Sequence, residues 1–330
     1  MHTRTLGRTG RTVSAIGLGT WQLGADWGDV DAQDAMAVLD AAAASGVSFF
    51  DTADVYGDGR SETLIGAFLA QNPGLGITVA TKMGRRGAQD PANFTLARFR
   101  EWTDRSRRNL RTDRLDLVQL HCPPSAVYSI DAVYDALDTL VADGAIAAYG
   151  FSVETTDEAL AAIARANVAT VQIILNAFRL KPVDAVLPAA KAAGVGIIAR
   201  VPLASGLLSG RYTASTTFAA DDHRYFNRHG EAFDVGETFS GVDYATGVVA
   251  AQEFAALAAS HPARLEPAQA ALAWLAQLDG VSVVIPGART PDQARANAAA
   301  GSVGDLGPEF SDGVAAIYDR YFREVIHPRW

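Results

Sequence analysis

The chain has 330 residues, of which 49% are apolar, 20% charged and 8% aromatic, and its net charge is −9. This composition is typical of a globular protein with a large buried core, and it argues against a disordered chain. The acidic balance argues against nucleic acid or an anionic membrane as the main partner, because both attract cationic surfaces. Cys122 is the only cysteine, so an intramolecular disulfide is excluded.

The sequence predicts neither a targeting signal nor a membrane span. Residues 1–8 include basic side chains, but no apolar stretch follows them as it does in a secretory signal. The longest apolar stretches, such as 35–44, are interrupted by charge and are far too short to cross a bilayer. We therefore expect a cytoplasmic protein without a membrane partner.

Strand-like and helical segments alternate along the chain. Residues 3–16 predict a β-hairpin that turns at 7–10. Apolar runs then predict eight strands, at 15–18, 47–51, 77–82, 115–121, 146–151, 170–174, 196–200 and 281–285. Alanine-rich segments predict eight helices, at 31–45, 61–71, 95–110, 130–143, 155–167, 182–193, 246–260 and 291–300. This alternation predicts an α/β fold, a (β/α)8 TIM barrel in a single domain over 1–330, with the N-terminal hairpin closing its bottom.

Two segments do not follow the alternation. Residues 211–243, after the seventh strand, have little periodicity and many polar and aromatic side chains. So long an irregular loop is usually functional or mobile. The tail 309–330 contains a helical stretch that we expect to pack on the barrel wall.

Three of the apolar runs end on an ionisable side chain. They stop at Asp51, Lys82 and His121, and Tyr56 follows the first of them by five residues. Because parallel strands end at one face of a barrel, these side chains are expected to meet at its mouth. A carboxylate, an amine and a phenol in one place suit the protonation of a carbonyl oxygen. The pattern predicts the active site of a carbonyl reductase.

Each of these four side chains receives a role in that chemistry. A free phenol is a poor acid, with a pKa of about 10, and a nearby ammonium lowers this pKa. We assign Tyr56 as the general acid, Lys82 as the group that tunes it, and Asp51 as the group that orients Lys82. His121 is expected to hydrogen-bond the substrate carbonyl. Taken singly, a charged strand end is more often a solvated rim residue, and His121 can equally be a structural histidine.

The chain also resembles the aldo-keto reductase superfamily, in motifs that follow the family's order over nearly its whole length. The matching motifs are Gly17-Leu18-Gly19-Thr20-Trp21, residues 50–57 with Ser61-Glu62, Thr81-Lys82, residues 116–121, Tyr149-Gly150-Phe151-Ser152, Val171-Gln172, residues 202–210 and residues 285–289. The resemblance lies close to the branch of the potassium channel β subunits. It implies that the family's catalytic tetrad falls on Asp51, Tyr56, Lys82 and His121.

The resemblance further implies a nicotinamide dinucleotide bound across the barrel mouth without a Rossmann domain. In agreement, no Gly-x-Gly-x-x-Gly sequence follows a predicted strand. The residues expected to contact the cofactor are Gly19, Thr20, Trp21, Asp51, Ser152, Gln172, Arg200, Pro202, Leu203, Ser205, Gly206, Leu207, Arg211, Gly287, Arg289, Gln293 and Asn297.

Some of these positions depart from the family pattern. Ser152 and Gln172 are expected to bind the nicotinamide carboxamide, but Val153 stands where relatives often carry asparagine, and Asn176 is a candidate substitute. Arg200 stands where many relatives carry an aromatic ring that stacks on the nicotinamide. A planar guanidinium can stack in the same way, although it can also reach solvent or a phosphate.

The cofactor is expected to be NADPH, with NADH as the alternative. Relatives often grip the adenosine end with a Lys-Ser pair where this chain has Gly287-Ala288, which weakens the case for a 2′-phosphate. Arg289 can still donate charge-assisted hydrogen bonds to such a phosphate.

The predicted function is the NAD(P)H-dependent reduction of an aldehyde or ketone, or of a sugar, to the alcohol, or the reverse reaction. Trp21, Tyr56, Met83 and His121 are expected to contact the substrate, and Trp27 and Tyr128 are further candidates. Aromatic walls suit either a sugar or an apolar carbonyl, but such side chains are as often core packing. The sequence fixes neither the substrate, the direction nor the oligomeric state.

Two alternatives belong to other classes of protein. A nicotinamide-binding regulatory subunit, like the channel β subunits, would keep the tetrad, but no extended segment precedes the hairpin. A metal-dependent barrel hydrolase would need several His, Asp or Glu ligands at the strand ends. Asp51, Lys82 and His121 make a poor metal cage, so we expect no metal.

Overall fold

A hairpin closes one end of the molecule in the computed structural model, which describes residues 1–24 and 31–330. Strands β1 (Thr3–Thr5) and β2 (Thr12–Ser14) pair antiparallel, as predicted. The side chains of Leu6 and Val13 are fully buried and belong to a small apolar cluster inside the barrel, with Leu117 and Ile198 among its members. The hairpin is therefore a plug that fills the lower end of the barrel.

Eight parallel strands follow, and each pairs with its neighbours in chain order. They are β3 (Leu18–Gly19), β4 (Phe49–Asp51), β5 (Thr78–Met83), β6 (Leu117–His121), β7 (Tyr149–Ser152), β8 (Val168–Ile174), β9 (Gly196–Arg200) and β10 (Val281–Val284). Parallel bridges from Ile16 to Val284 and from Gly19 to Gly287 join the last strand to the first. The predicted (β/α)8 barrel is confirmed.

Helices surround this sheet and bury their apolar sides against it. The structure describes α1 (Ala32–Ala44), α2 (Arg60–Gln71), α3 (Leu96–Leu110), α4 (Asp131–Ala142), α5 (Thr156–Ile163), α6 (Lys181–Ala193), α7 (His223–Phe226), α8 (Tyr244–Ser260), α9 (Pro267–Gln277), α10 (Pro291–Ala299), α11 (Gly307–Tyr321) and α12 (Arg323–Ile326). Each of the eight predicted helices is present. The described residues also contain the expected tail helix α11, the short helices α7 and α12, and α9, a long helix that the sequence pattern missed.

Helix α9 was not predicted because it lacks a polar face. Its residues 270–276 are all buried, so it lacks the alternation of apolar and polar faces that identifies a surface helix. Trp274 extends from it to donate a hydrogen bond to Ser311 Oγ of α11, at 3.1 Å. The helix is an inner layer between β10 and the C-terminal helices.

The loop 211–243 is irregular apart from the short helix α7 and two tight turns, as predicted. It is nevertheless packed, since the side chains of Asn227 and Ser240 are fully buried. Asn227 Oδ1 accepts hydrogen bonds from the backbone N–H groups of Ala232 and Phe233, at 2.8 and 2.9 Å. The tail carries the expected helix α11, and Trp330 beyond it donates to Asp234 of the loop, at 3.2 Å.

No helix of the described chain is both long and apolar enough to cross a membrane.

Candidate active site

Three of the predicted catalytic side chains leave consecutive strands at one end of the barrel. Asp51 ends β4, Lys82 lies one residue before the end of β5, and His121 ends β6. Because these strands are parallel, their carboxyl ends meet at the mouth. Tyr56 begins the turn Tyr56–Gly59 that follows β4, so it reaches the same face.

A close backbone contact fixes the turn that carries Tyr56. Gly57 has a φ of 57°, and a Cβ atom there would lie 2.0 Å from the carbonyl oxygen of Gly24. Only glycine tolerates both this left-handed conformation and this contact. The turn is thereby held against the loop after β3, with the phenol of Tyr56 beside β5.

Lys82 connects the carboxylate to the phenol. Its ammonium forms a buried salt bridge with Asp51 Oδ1 and donates to the backbone oxygen of Thr52, at 2.9 Å. It also lies 3.4 Å from the phenol oxygen of Tyr56. The Lys82 side chain is 1% exposed, so this salt bridge is shielded from water. The predicted order of carboxylate, ammonium and phenol is present.

The Asp51 carboxylate raises the pKa of Lys82, and the Lys82 ammonium lowers the pKa of Tyr56. Burial disfavours the ammonium, but the Asp51 carboxylate and the Tyr56 phenol together outweigh it, and the pKa of Lys82 is raised above its ordinary value. Withdrawal from water raises the pKa of Tyr56, and the Lys82 ammonium works against that rise. Lys82 therefore stays charged and favours loss of the Tyr56 proton.

His121 is a neutral imidazole at the edge of the cluster. Burial, then the nearby charges of Arg85 and Lys82, hold the pKa of His121 well below its usual range. Its ring lies edge-on to the Tyr56 ring, with centroids 6.0 Å apart. Its buried Nδ1 atom has no hydrogen-bond partner among the described residues. A neutral imidazole next to the phenol suits a hydrogen bond to an uncharged substrate oxygen.

The second oxygen of Asp51 is held by two amides inside the barrel. Gln172 Nε2 donates to Asp51 Oδ2 at 2.7 Å, and Gln119 Nε2 donates to the same atom at 3.2 Å. Gln172 was expected at the cofactor, whereas Gln119 was not predicted as a site residue. The available signal was spacing, since Gln119 precedes His121 by two residues and therefore shares its face of the strand.

Aromatic side chains line one side of the mouth. The ring of Trp21 stacks on that of Tyr56, with centroids 6.2 Å apart, and meets two rings from the loop 211–243. These are His223 at 5.6 Å and Phe233 at 6.0 Å, neither of which the sequence pattern singled out. A mixed wall of barrel and loop residues thus stands beside the phenol.

Met83 and Tyr128, two other predicted substrate neighbours, lie deeper in the fold. Met83 is 1% exposed, and its sulfur lies 3.8 Å from the hydroxyl of Thr103 on α3, outside the strand barrel. Because side chains alternate along a strand, Met83 faces away from the mouth when Lys82 faces it. Tyr128 is likewise buried. Trp27 lies outside the described residues.

Among residues 1–24 and 31–330, no group of three or more His, Cys, Asp or Glu side chains could hold a metal ion.

Sequence comparison agrees with the barrel. The chain matches the Aldo/keto reductase family over residues 15–319. It belongs to this family. Among curated relatives, aldo-keto reductase YhdN of Bacillus subtilis is 32% identical over 231 residues, which make up 68% of this chain and 69% of YhdN.

Solved structures of the same family superpose on this aldo-keto reductase. The glycerol dehydrogenase AKR11B4 from Gluconobacter oxydans gives a TM-score of 0.80 at 28% identity, with 99% of this chain and 98% of that chain covered. An aldo/keto reductase from Klebsiella pneumoniae, in complex with NADP and acetate, gives 0.71 at 24% identity, with 96% and 95% covered. These similarities establish the barrel fold.

The nicotinamide end of the expected cofactor track lies on β7 and β8. Ser152 is buried at the end of β7, with its hydroxyl 3.6 Å from Cys122 Sγ. Asn176, the candidate substitute for the missing family asparagine, is engaged elsewhere. Its amide donates to the backbone oxygen of Val201 at 2.9 Å and to Ser240 Oγ at 2.7 Å.

Arg200 is held by two carboxylates rather than standing free at the mouth of this aldo-keto reductase. Its guanidinium donates to Glu154 Oε2 at 3.0 Å and also pairs with Glu237 of the long loop. Burial opposes its charge, but Glu237 and Glu154 outweigh this effect and raise the pKa of Arg200 well above its ordinary value. Both glutamates were missed, because their partner lies far away in sequence.

The loop after β9 has the strained backbone of a tight cradle. Ser205 and Gly206 have φ values of 54° and 98°. Ser205 Oγ donates to the backbone oxygen of Glu237 and accepts from the N–H of Phe239, both at 3.0 Å. Among the predicted neighbours, Leu207 is fully buried, Pro202 is buried, Leu203 is half-buried and Arg211 is exposed.

The predicted adenosine end is ordered by its own side chains. Gln293 Oε1 accepts from the backbone N–H of Arg289 at 2.8 Å, and Asn297 Nδ2 donates to the backbone oxygen of Gly287 at 3.0 Å. Gly287 also bridges to Gly19 of β3, next to the buried Thr20. These residues therefore lie together where the barrel closes, with the guanidinium of Arg289 exposed.

Proposed function

We propose that this aldo-keto reductase reduces an aldehyde or ketone, including the open form of a sugar, to the alcohol, or catalyses the reverse reaction. The observation that carries the proposal is the buried Asp51–Lys82 salt bridge, with the Lys82 ammonium 3.4 Å from the phenol oxygen of Tyr56. This arrangement suits proton donation to an oxygen that gains negative charge.

The tetrad residues divide the proton chemistry among them. The neutral His121 hydrogen-bonds the carbonyl oxygen and orients it towards Tyr56. Tyr56 gives its proton to that oxygen as the carbonyl carbon is reduced, and the Lys82 ammonium stabilises the tyrosinate that remains. Water then returns a proton to the phenol. Asp51 keeps Lys82 charged throughout.

The cofactor that fits these residues is NADPH, which when bound supplies the hydride. Ser205 and Gly206 have left-handed backbone conformations in a tight loop, as do loops that bind phosphate. Arg211 and Arg289 are exposed, and neither enters an ion pair with the described residues. Two available guanidiniums on a chain of net charge −9 support an anionic cofactor at this edge. The Klebsiella neighbour was solved with NADP, which is consistent with this assignment.

The substrate is proposed to be a small neutral carbonyl compound that rests on the aromatic wall. Trp21, Phe233 and His223 offer ring faces and edges, which suit the C–H face of a hydroxylated carbon chain or an apolar group. The Gluconobacter neighbour is a glycerol dehydrogenase, so three-carbon hydroxyaldehydes are the first substrates to test.

The test is a spectrophotometric screen of NADPH and NADH oxidation with aldehydes, ketones and aldoses, and of NADP+ reduction with the matching alcohols. We expect turnover with at least one carbonyl and a higher kcat/KM with NADPH than with NADH. In Tyr56→Phe, kcat should fall at least about 100-fold while NADPH still binds, since proton donation contributes about that much or more. Near-normal turnover by this variant would exclude Tyr56 as the acid.

The alternative is a nicotinamide-binding regulatory protein with little turnover. It would bind NADPH equally well but give no rate with any carbonyl in the screen. The salt bridge next to Tyr56 does not separate the two, because a regulatory subunit of the channel β type would keep the same residues. The similarity to aldo-keto reductase YhdN and to a glycerol dehydrogenase favours the enzyme.

A further inference from the structure

Asp51 is the only member of the proposed tetrad that points down into the barrel as well as up towards the mouth. Its Oδ1 atom faces the Lys82 ammonium, while its Oδ2 atom accepts from the amides of Gln119 and Gln172. A carboxylate that is 3% exposed needs such donors, because burying an ionised group without them is costly.

Gln119 lies below the reacting groups. Its Cα is the register partner of Lys82 across the β5–β6 pair, and it shares the inward face of β6 with His121, one layer deeper. The side chain is fully buried, so it is separated from any substrate at the mouth. Its side-chain contacts towards the site are with Asp51 and Gln172.

The amide of Gln119 has a fixed orientation. Its Nε2 donates to Asp51 Oδ2 at 3.2 Å, while its Oε1 accepts from Gln172 Nε2 at 3.3 Å. If the Gln119 amide were reversed, its Oε1 atom would face the Asp51 carboxylate and its Nε2 atom would face the Nε2 donor of Gln172. The three side chains therefore form a closed network in which both amides direct N–H groups at one oxygen of Asp51.

We propose that Gln119 is a positioning residue that holds the Asp51 carboxylate in place against Lys82, and thereby contributes to the acidity of Tyr56. The amides hold Asp51 Oδ2, so that Oδ1 stays against the Lys82 ammonium and favours the proton on Lys82. The ammonium lowers the pKa of Tyr56 more than the Asp51 carboxylate raises it, so a well-placed pair favours the tyrosinate. This inference rests on the proposed function and adds a fully buried residue that acts through Asp51.

The variant that tests it is Gln119→Met, which keeps the length of the side chain but removes both hydrogen bonds. We expect kcat for reduction near neutral pH to fall about tenfold, because Tyr56 becomes a weaker acid. The alkaline limb of the pH profile should move upwards by about one pH unit, a change that corresponds to about 1.4 kcal/mol. The Kd for NADPH, measured by protein fluorescence, should stay within about twofold of the wild-type value.

Gln119→Glu keeps the acceptor for Gln172 but places a second carboxylate against Asp51. Because like charges disfavour each other, we expect it to shift the alkaline limb at least as far as Gln119→Met. Leu117→Val is the matched control, since Leu117 is a fully buried residue of β6 on the same inward face, two positions away. It should lower the melting temperature without moving the pH profile.

The outcomes separate this inference from the function on which it rests. A wild-type protein without turnover on any carbonyl would refute the proposed function. A wild-type enzyme that turns over, together with a Gln119→Met profile that keeps its alkaline limb, would refute only the role of Gln119. Equal shifts in Gln119→Met and Leu117→Val would also refute it, because general loosening of the core would then explain both.

Discussion

Asp54 is a carboxyl group buried two residues before Tyr56. It is fully buried, and neither of its side-chain oxygens has a hydrogen-bond partner among residues 1–24 and 31–330. Burial, reinforced by the charge of Glu62, raises the pKa of Asp54 to about 7, against the opposing charges of Arg86 and Arg105. An acid with a raised pKa holds its proton better in the folded than in the unfolded state. Its contribution to stability is complete below pH 4 and is lost as the pH rises towards 7.

Replacing Asp54 with Asn should therefore stabilise the protein at high pH and have little effect at low pH. The shift of about three pKa units corresponds to at most about 4 kcal/mol in the free energy of unfolding at pH 8. Melting curves from pH 5 to pH 8 for wild type and Asp54→Asn should diverge as the pH rises. The exposed Asp113→Asn is the control, and its curve should run parallel to the wild type. Parallel curves for Asp54→Asn as well would contradict the buried acid.

Successive side chains of a strand point to opposite faces of the sheet, and this rule explains which site residues could be predicted from the sequence. The strand ends Asp51, Lys82 and His121 were predicted, because apolar runs stop where the strands reach the mouth. Met83 was expected at the substrate, although it follows Lys82 directly and so points to the opposite face. The same rule could have found Gln119 beneath His121. In contrast, the pairing of Arg200 with Glu237 depends on how a distant loop packs, which local patterns do not encode.

The loop 211–243 contacts the elements that carry the proposed active site. Its Phe233 ring lies 6.0 Å from the Trp21 ring, and Trp21 in turn stacks on Tyr56. Glu237 pairs with Arg200, and Ser240 accepts a hydrogen bond from Asn176, so the loop is attached to the ends of β8 and β9. This explains why an irregular sequence gives a packed segment, since its order comes from contacts with the barrel.

Removing the Phe233 ring should weaken substrate binding without harming the chemistry. An aromatic contact of this kind contributes about 0.5–1.5 kcal/mol, so KM for a carbonyl with an apolar group should rise up to about tenfold in Phe233→Ala. The kcat should stay within about threefold, because Tyr56 and Lys82 are untouched. Tyr225→Ala is the control, since that ring is 62% exposed on the same loop. If kcat falls and KM does not change, Phe233 orients the tetrad instead of the substrate.

Helices with a polar face could be predicted from the sequence, whereas the buried helix α9 could not. The predicted helices all exist because alanine-rich segments with clear end signals form helices in most contexts. Helix α5 is one example, in which Thr155 and Glu158 form a reciprocal cap at the N-terminus. Helix α9 was missed because burial on every side erases the periodicity. Its place becomes evident only when the barrel and the C-terminal helices pack around it.

At the scale of the whole molecule, one end of the barrel carries the proposed active site and the other end is closed by the hairpin. The tetrad lies at the carboxyl ends of the strands, while the hairpin of β1 and β2 fills the opposite end with Leu6 and Val13. A barrel needs no hairpin to align its strand ends, but an open lower end would expose the apolar cluster to water. Damage to the hairpin should therefore reduce stability and leave the active site intact.

Two glycines of the hairpin turn allow this separation to be tested. Gly7 has a φ of 47°, and a Cβ atom there would lie 2.1 Å from the backbone nitrogen of Gly196 and 2.3 Å from the oxygen of Ala169. Gly10 has a φ of 67° but has no other group within 4 Å of such an atom. Alanine costs about 1–2 kcal/mol at both positions because of the left-handed backbone. Only at Gly7 must the hairpin also move away from the barrel floor.

We expect Gly10→Ala to lower the free energy of unfolding by about 1–2 kcal/mol and Gly7→Ala to lower it by more than about 3 kcal/mol, as steric conflict in a packed core does. Urea denaturation measures both changes. Folded Gly7→Ala should keep the wild-type kcat and KM, because the tetrad lies at the far end of the strands. Equal losses of stability in the two variants would mean that Gly7 is not in close contact with the backbone of Gly196 and Ala169. A selective loss of kcat in Gly7→Ala would mean that the hairpin helps to align the strand ends.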